Sequence, residues 1–183
     1  MSSRILVLVS LSLVLTSCGT NATTDVTCDN GDTLILSAQA VPEATMLPCV
    51  VGFPTGWTSG GYVAKTGDVR FWMDHDRAGA HAVQVMLSSG CDVSTAESLG
   101  PAATSPDADL FEARDMLSPP SGKRFFVFEG GCVTLGYDFS DDVGIELLDE
   151  GQASLMLVPR SALVSKVAER GVVLCGAGAP ACD

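Results

Sequence analysis

Residues 123–139 read KRFFVFEGGCVTLGYDF. Two apolar arms, Lys123–Glu129 and Cys132–Phe139, meet at Gly130-Gly131, a turn that brings the two strands of a hairpin back on themselves. In the second arm Val133, Leu135, Tyr137 and Phe139 alternate with smaller or polar residues, so they share one face. A period of two over this length predicts a half-buried antiparallel strand. The same pattern recurs upstream. In Asp68–Asp74, Val69, Phe71 and Met73 fall on one face, with Arg70 and Trp72 on the other. His81–Leu87 turns Val83, Val85 and Leu87 inward, and Arg77-Ala-Gly79 connects the two runs.

Outside these strands the signals are weaker. Thr33–Ser37 is a short apolar run after the turn signal Asn30-Gly31 and reads as a strand. Residues 48–61 (PCVVGFPTGWTSGG) and 92–109 (DVSTAESLGPAATSPDAD), rich in Pro, Gly and small residues, read mostly as loop. Phe111–Leu117 is a further strand, and Pro119–Gly122 a turn.

Near the C-terminus the period changes. Val143, Leu147, Leu148, Gly151 and Leu155 recur at helical spacing, with Asp141 or Asp142 placed to cap them. Two glycines interrupt this pattern, and Ser154–Val158 also fits a strand. Pro159–Arg170 is the firmer helix: Pro suits a first helical position, Leu163, Val164, Val167 and Ala168 form the apolar face, and Gly171 suits the stop. Strands followed by helices predict an α+β domain, an antiparallel sheet of about five or six strands with C-terminal helices packed on one face. Neither a repeat nor a second domain is visible.

The chain opens with Arg4, an apolar run Ile5–Leu15, and Leu15-Thr16-Ser17-Cys18. A basic start, a short apolar stretch and small residues before a cut make the layout of a secretory signal peptide. As helix the run spans about 16 Å, against about 30 Å for a bilayer core. The tetrapeptide ending in Cys18 resembles the lipobox of bacterial lipoproteins. That resemblance implies a diacylglyceryl group on the Cys18 thiol and cleavage before it. Residues 1–17 are then a removed signal peptide, residues 18–27 a lipidated tether, and residues 28–183 a single extracytoplasmic domain. Two acyl chains give a durable membrane anchor where one holds marginally.

Removal of Arg4 with the leader leaves nine basic side chains against 22 acidic ones. An acidic surface repels nucleic acid and anionic lipid head groups. Seven cysteines are present. Lipidation of Cys18 leaves six, Cys28, Cys49, Cys91, Cys132, Cys175 and Cys182, an even number that fits three disulfides in an oxidising compartment. Fifteen pairings of six cysteines exist, and spacing does not choose among them. No C-x-x-C occurs to suggest a redox site or zinc knuckle.

The remaining segments AQAVP (38–42), LPC (47–49), GW (56–57), RFW (70–72), DRAG (76–79) and GGCVT (130–134) together resemble an uncharacterised group of exported actinobacterial proteins, a resemblance that implies no activity. Motifs for catalysis are equally sparse. G-x-S-x-G, S-x-x-K, H-E-x-x-H and the phosphate-cradling glycine loops are absent. Asp74-His75-Asp76 with His81 has the residue types of a metal site, but they flank a predicted turn and read as a solvated hairpin end. Asp29-Asn30-Gly31-Asp32 fails as a calcium loop, because Gly31 at its sixth position puts Val26 at the first. The aromatic residues Phe53, Trp57 and Tyr62, set among Gly and Pro, are the candidates for ligand contact.

The expectation is a monomeric, lipid-anchored, non-catalytic envelope module without metal or cofactor. Its partners would be the membrane, through the anchor, and an envelope protein or small ligand, but no nucleic acid. The alternatives are a small-ligand carrier with a cavity between sheet and helices, and an extracytoplasmic hydrolase.

Overall fold

The computed structural model describes residues 25–115, 120–139 and 144–177. Expectations for the leader, for Cys18 and Cys182, and for capping by Asp141 or Asp142 lie outside them. The elements run α1 (Gly31–Ala40), β1 (Met46–Val50), β2 (Trp57–Lys65), β3 (Asp68–His75), β4 (Gly79–Ser88), β5 (Glu97–Ala102), β6 (Ser105–Asp115), β7 (Ser121–Phe128), β8 (Gly131–Asp138), α2 (Glu146–Ala153), β9 (Leu155–Pro159) and α3 (Arg160–Ala168). The class is an antiparallel sheet with helices, but it is richer in strands than expected: seven form one sheet, in the order β2-β3-β4-β8-β7-β6-β5, and β1 pairs with β9 in a second.

Directly paired residues share a face. The register therefore aligns Phe71 with Val85 and Leu135, and Val69 with Leu87, Val133 and Phe126. These form the inner face, and all of them are buried. They join Leu34 and Ala38 of α1, Leu47 of β1, Leu147 and Leu148 of α2, and Leu163 and Val167 of α3 in one core. The space between sheet and helical layer is filled there by side chains.

Three expectations are corrected. Thr33–Ser37 is helix, not strand. Asn30 does not turn a hairpin. Its side chain accepts the Asp32 N–H at 3.2 Å and caps α1. Leu34 and Ala38, one helical turn apart, are buried, while Leu36 is about half exposed. The expected loop at 92–109 contains β5 and the start of β6. β5 is an edge strand, and an edge tolerates what a central strand does not. Pro101 and the bulged Gly100, at φ 83°, both lie in it. The expected loop at 48–61 is only 51–56. Pro48 enters β1 because β9 is the one strand paired with it, and the bridge on its other side is made at Val50. Of the two readings of Ser154–Val158, the strand prevails. Pro159 closes β9 and occupies the N-cap of α3, one place before its first turn.

The sheet is two meanders, β2-β3-β4 and β5-β6-β7-β8, joined where β4 lies against β8. The link after β4 must therefore cross β8, β7 and β6 to start β5. Cys91, just past β4, is bonded to Cys132 at the start of β8, Cα–Cα 5.8 Å. Cys132 and Thr134 alternate with the inward Val133 and Leu135, so they lie on the outer face. Both are buried, and Cys91 Sγ sits 3.3 Å from Thr134 Oγ1. The crossing link thus covers this end of the outer face.

The second disulfide, Cys28–Cys49 (Cα–Cα 5.0 Å), ties the N-terminal segment to β1. Val26 is buried and Thr27 bridges to Val50, so the two residues before Cys28 pack on the domain. Cys175 is also disulfide-bonded. No helix among the described residues is long and apolar enough to cross a membrane.

Candidate functional site

Two adjacent glycines in β2 shape the outer face. The β2–β3 register slips between Ser59 and Gly61. A Cβ on Gly60 would lie inside the Asp74 carboxylate, and one on Gly61 would rest on the Trp72 ring at 3.7 Å. The missing side chains give Asp74 room to fold inward and the indole room to lie flat. Asp74 Oδ1 then accepts the backbone N–H of His81 at 2.6 Å. That bond braces His81 at φ 57°, and it is the one non-glycine residue at positive φ among the described residues. Such backbone costs about 1–2 kcal/mol and persists where the surroundings over-determine it. Its result is a stack: the His81 imidazole lies on the Trp72 indole, centroids 5.0 Å apart and 29° between planes.

From this platform a row of paired residues crosses the sheet: Trp72, Gln84, Gly136, Lys123 and Ala113. A Cβ on Gly136 would meet nothing within 4 Å. Trp72, Gln84, Gly136 and Lys123 of this row are the floor of a shallow trough of about 360 Å³, with His81 and Asp138 also on its border. The crossing link covers the outer face on the Cys132 side of Gly136 and leaves this end open. Trp72 and Gln84 are half-buried, while His81, Lys123 and Asp138 are exposed. One aromatic face and three kinds of polar group (amide, ammonium, carboxylate) therefore converge on one depression.

The three aromatic residues singled out from sequence do not form this site. Trp57 is buried at 3% exposure, edge-on to His75 at 4.8 Å, with Gly151 of α2 against its ring. Tyr62 shares a hydrogen bond with Ser37 Oγ and donates to the Thr33 carbonyl, clamping α1 to β2. Burial pushes its hydroxyl above the usual phenol range, against the opposing Ser37 hydrogen bond. Phe53 packs half-buried against the core. All three pack against the core, Trp57 within it and Phe53 and Tyr62 at its edge.

The histidines do flank a turn, but they part company there. His81 faces water on the outer side. His75 is buried, contrary to expectation, with Nδ1 accepting the Arg77 N–H at 3.1 Å. No group of three His, Cys, Asp or Glu side chains among the described residues could hold a metal.

A second polar cluster lies on the inner face. Arg124 is 8% exposed and donates to Glu112 at 2.7 Å, Asp149 at 2.6 Å and Gln152 at 2.8 Å. Arg114 grips the same Glu112 at 2.8 Å. Burial raises the Glu112 pKa, but the hydrogen bonds and charges of Arg124 and Arg114 outweigh it and hold the carboxyl below its ordinary range. A general acid needs the opposite shift. The cluster instead fastens α2 to the sheet.

The chain has no significant match among protein-family models, curated proteins or solved structures.

Proposed function

We propose that the protein is a lipid-anchored module of the cell envelope that binds its ligand in the Trp72–His81 trough. The observation that carries the binding reading is His81, a non-glycine residue held in left-handed backbone so that its ring lies on an indole. Backbone strain of this kind collects at ligand sites. The leader and Cys18 support the anchor. The polypeptide enters the fold at Val26–Cys28, against β1 in the layer behind the sheet, whereas the trough opens on the sheet's other face. A tether leaving there turns the trough away from the lipid. The filled core between sheet and helices gives the carrier alternative no support.

The test is co-sedimentation of the purified protein with lipid-extracted envelopes of the producing cell. Wild type should pellet and Trp72→Ala should stay in the supernatant. Equal pelleting of both, or of neither, would count against the proposal.

A further inference from the structure

We infer that the trough takes a stretch of a neutral polysaccharide chain, one sugar ring lying flat on Trp72. This rests on the trough being the binding site and adds the class of ligand. Four observations narrow the chemistry.

The protein carries a net charge of −12, which repels an anionic polymer. Lys123 and Asp138, of opposite sign, both line the trough, so it offers no net charge to an ionic ligand. A wholly apolar ligand would cover Gln84, Lys123 and Asp138 and leave them without water or partner, at a cost for each. What remains is a neutral ligand with one apolar face and many hydroxyls. A pyranose ring has that form: its axial C–H groups present a weakly positive face to the negative face of an indole. Its hydroxyls can donate to Asp138 and to the Gln84 amide oxygen, and can accept from Lys123.

Shape decides between a single sugar and a chain. From Trp72 on β3 to Lys123 on β7 the floor crosses three strand spacings, about 14 Å. That is longer than one ring. Gly136 keeps the middle of this path free of side chain.

The chain's two tryptophans supply the assay. Trp57 is buried and serves as an internal reference, while Trp72 lines the trough. The uniformly ¹⁵N-labelled full-length protein is titrated with glucose, mannose and N-acetylglucosamine, then with cello-, manno- and N-acetylated chito-oligosaccharides. Heparin and indole serve as anionic and aromatic controls, and the two indole N–H signals are followed. At least one neutral oligosaccharide should move the Trp72 signal saturably and leave Trp57 in place, and should bind at least tenfold more tightly than its monosaccharide. His81→Gly should weaken that binding at least tenfold with no loss of melting temperature, since glycine accepts the same backbone and keeps the bond to Asp74. A purely structural His81 would not separate the two readouts.

Failure of every neutral saccharide to move Trp72 overturns the inference. If heparin or indole moves it instead, the trough binds but the ligand class is wrong. Monosaccharides binding as tightly as chains would overturn the assignment to a chain.

Discussion

Single residues here answer to their neighbours more than to their own type. Glu112 and Arg124 face each other across β6 and β7 on the largely apolar side of the sheet, and each is held by the other together with Arg114, Asp149 and Gln152. Removing one partner of a buried pair costs more than the pair contributes. We expect Glu112→Gln to destabilise the domain by about 1–3 kcal/mol at neutral pH. The folded-state pKa of Glu112 is depressed. Its contribution is therefore complete above the unfolded value of about 4.3 and disappears as pH falls through the lower folded value. Urea midpoints of wild type and Glu112→Gln should thus differ at pH 7 and converge in acid. A difference that persists unchanged to the lowest pH would contradict this account of the pair.

Arg160 makes the same point. Buried at 1% exposure, with no acidic partner at hydrogen-bond distance among the described residues, it donates to the carbonyls of Ala38 and Cys175, and so ties the last turn of α1 to the C-terminal segment. Burial pushes it below the usual guanidinium range, partly countered by the charge of Glu43.

At the scale of elements, what was legible depended on packing. The faces of β3, β4 and β8 were readable because these strands lie inside the sheet, where one face must be apolar and period two shows. β5 was not, because an edge strand holding Gly100 and Pro101 has the composition of a loop. α1 was not, because ten residues with four apolar ones between Thr33 and Ala38 resemble a strand until Asn30 is recognised as a cap. The outward placement of Trp72 was legible in the alternation of β3. Its partner was not, because the stack requires a slipped register on both sides of β3 and a left-handed His81. The one sequence signal for it was Gly60-Gly61, which reads as a turn. In β2 the pair instead makes room across the strand for Asp74 and Trp72. Gly60→Ala should therefore push the Asp74 carboxylate off the His81 N–H. We expect a loss of about 1–2 kcal/mol, together with loss of envelope binding. Wild-type stability and binding in Gly60→Ala would show that the brace does not matter.

For the whole molecule, topology and covalent bonds work together. The β4–β8 junction joins strands about fifty residues apart, a pairing that no local pattern announces. Cys91–Cys132 closes a span of 41 residues between these two strands, and Cys28–Cys49 one of 21. Loop-closure entropy puts these at about 4 and 3 kcal/mol. Replacing Cys91 and Cys132 together by Ala should lower the melting temperature while leaving the sheet signal in circular dichroism, because the core does not depend on the bridge. Loss of all fixed structure would mean that it does. The anchor has its own test: cells fed a labelled fatty acid should label the wild type and not Cys18→Ser, and equal labelling would remove lipidation from the proposal.

We propose that the open end of the sheet's outer face is the working surface. Gly136 offers the most direct test, because a side chain there enters open space and meets nothing of the protein. Gly136→Trp should fill the trough while changing stability by no more than about 0.5 kcal/mol. The measurement is binding of Gly136→Trp to lipid-extracted envelopes, against wild type at matched folding. Binding should be abolished. Full binding by a folded protein with its trough filled would place the function elsewhere on the molecule.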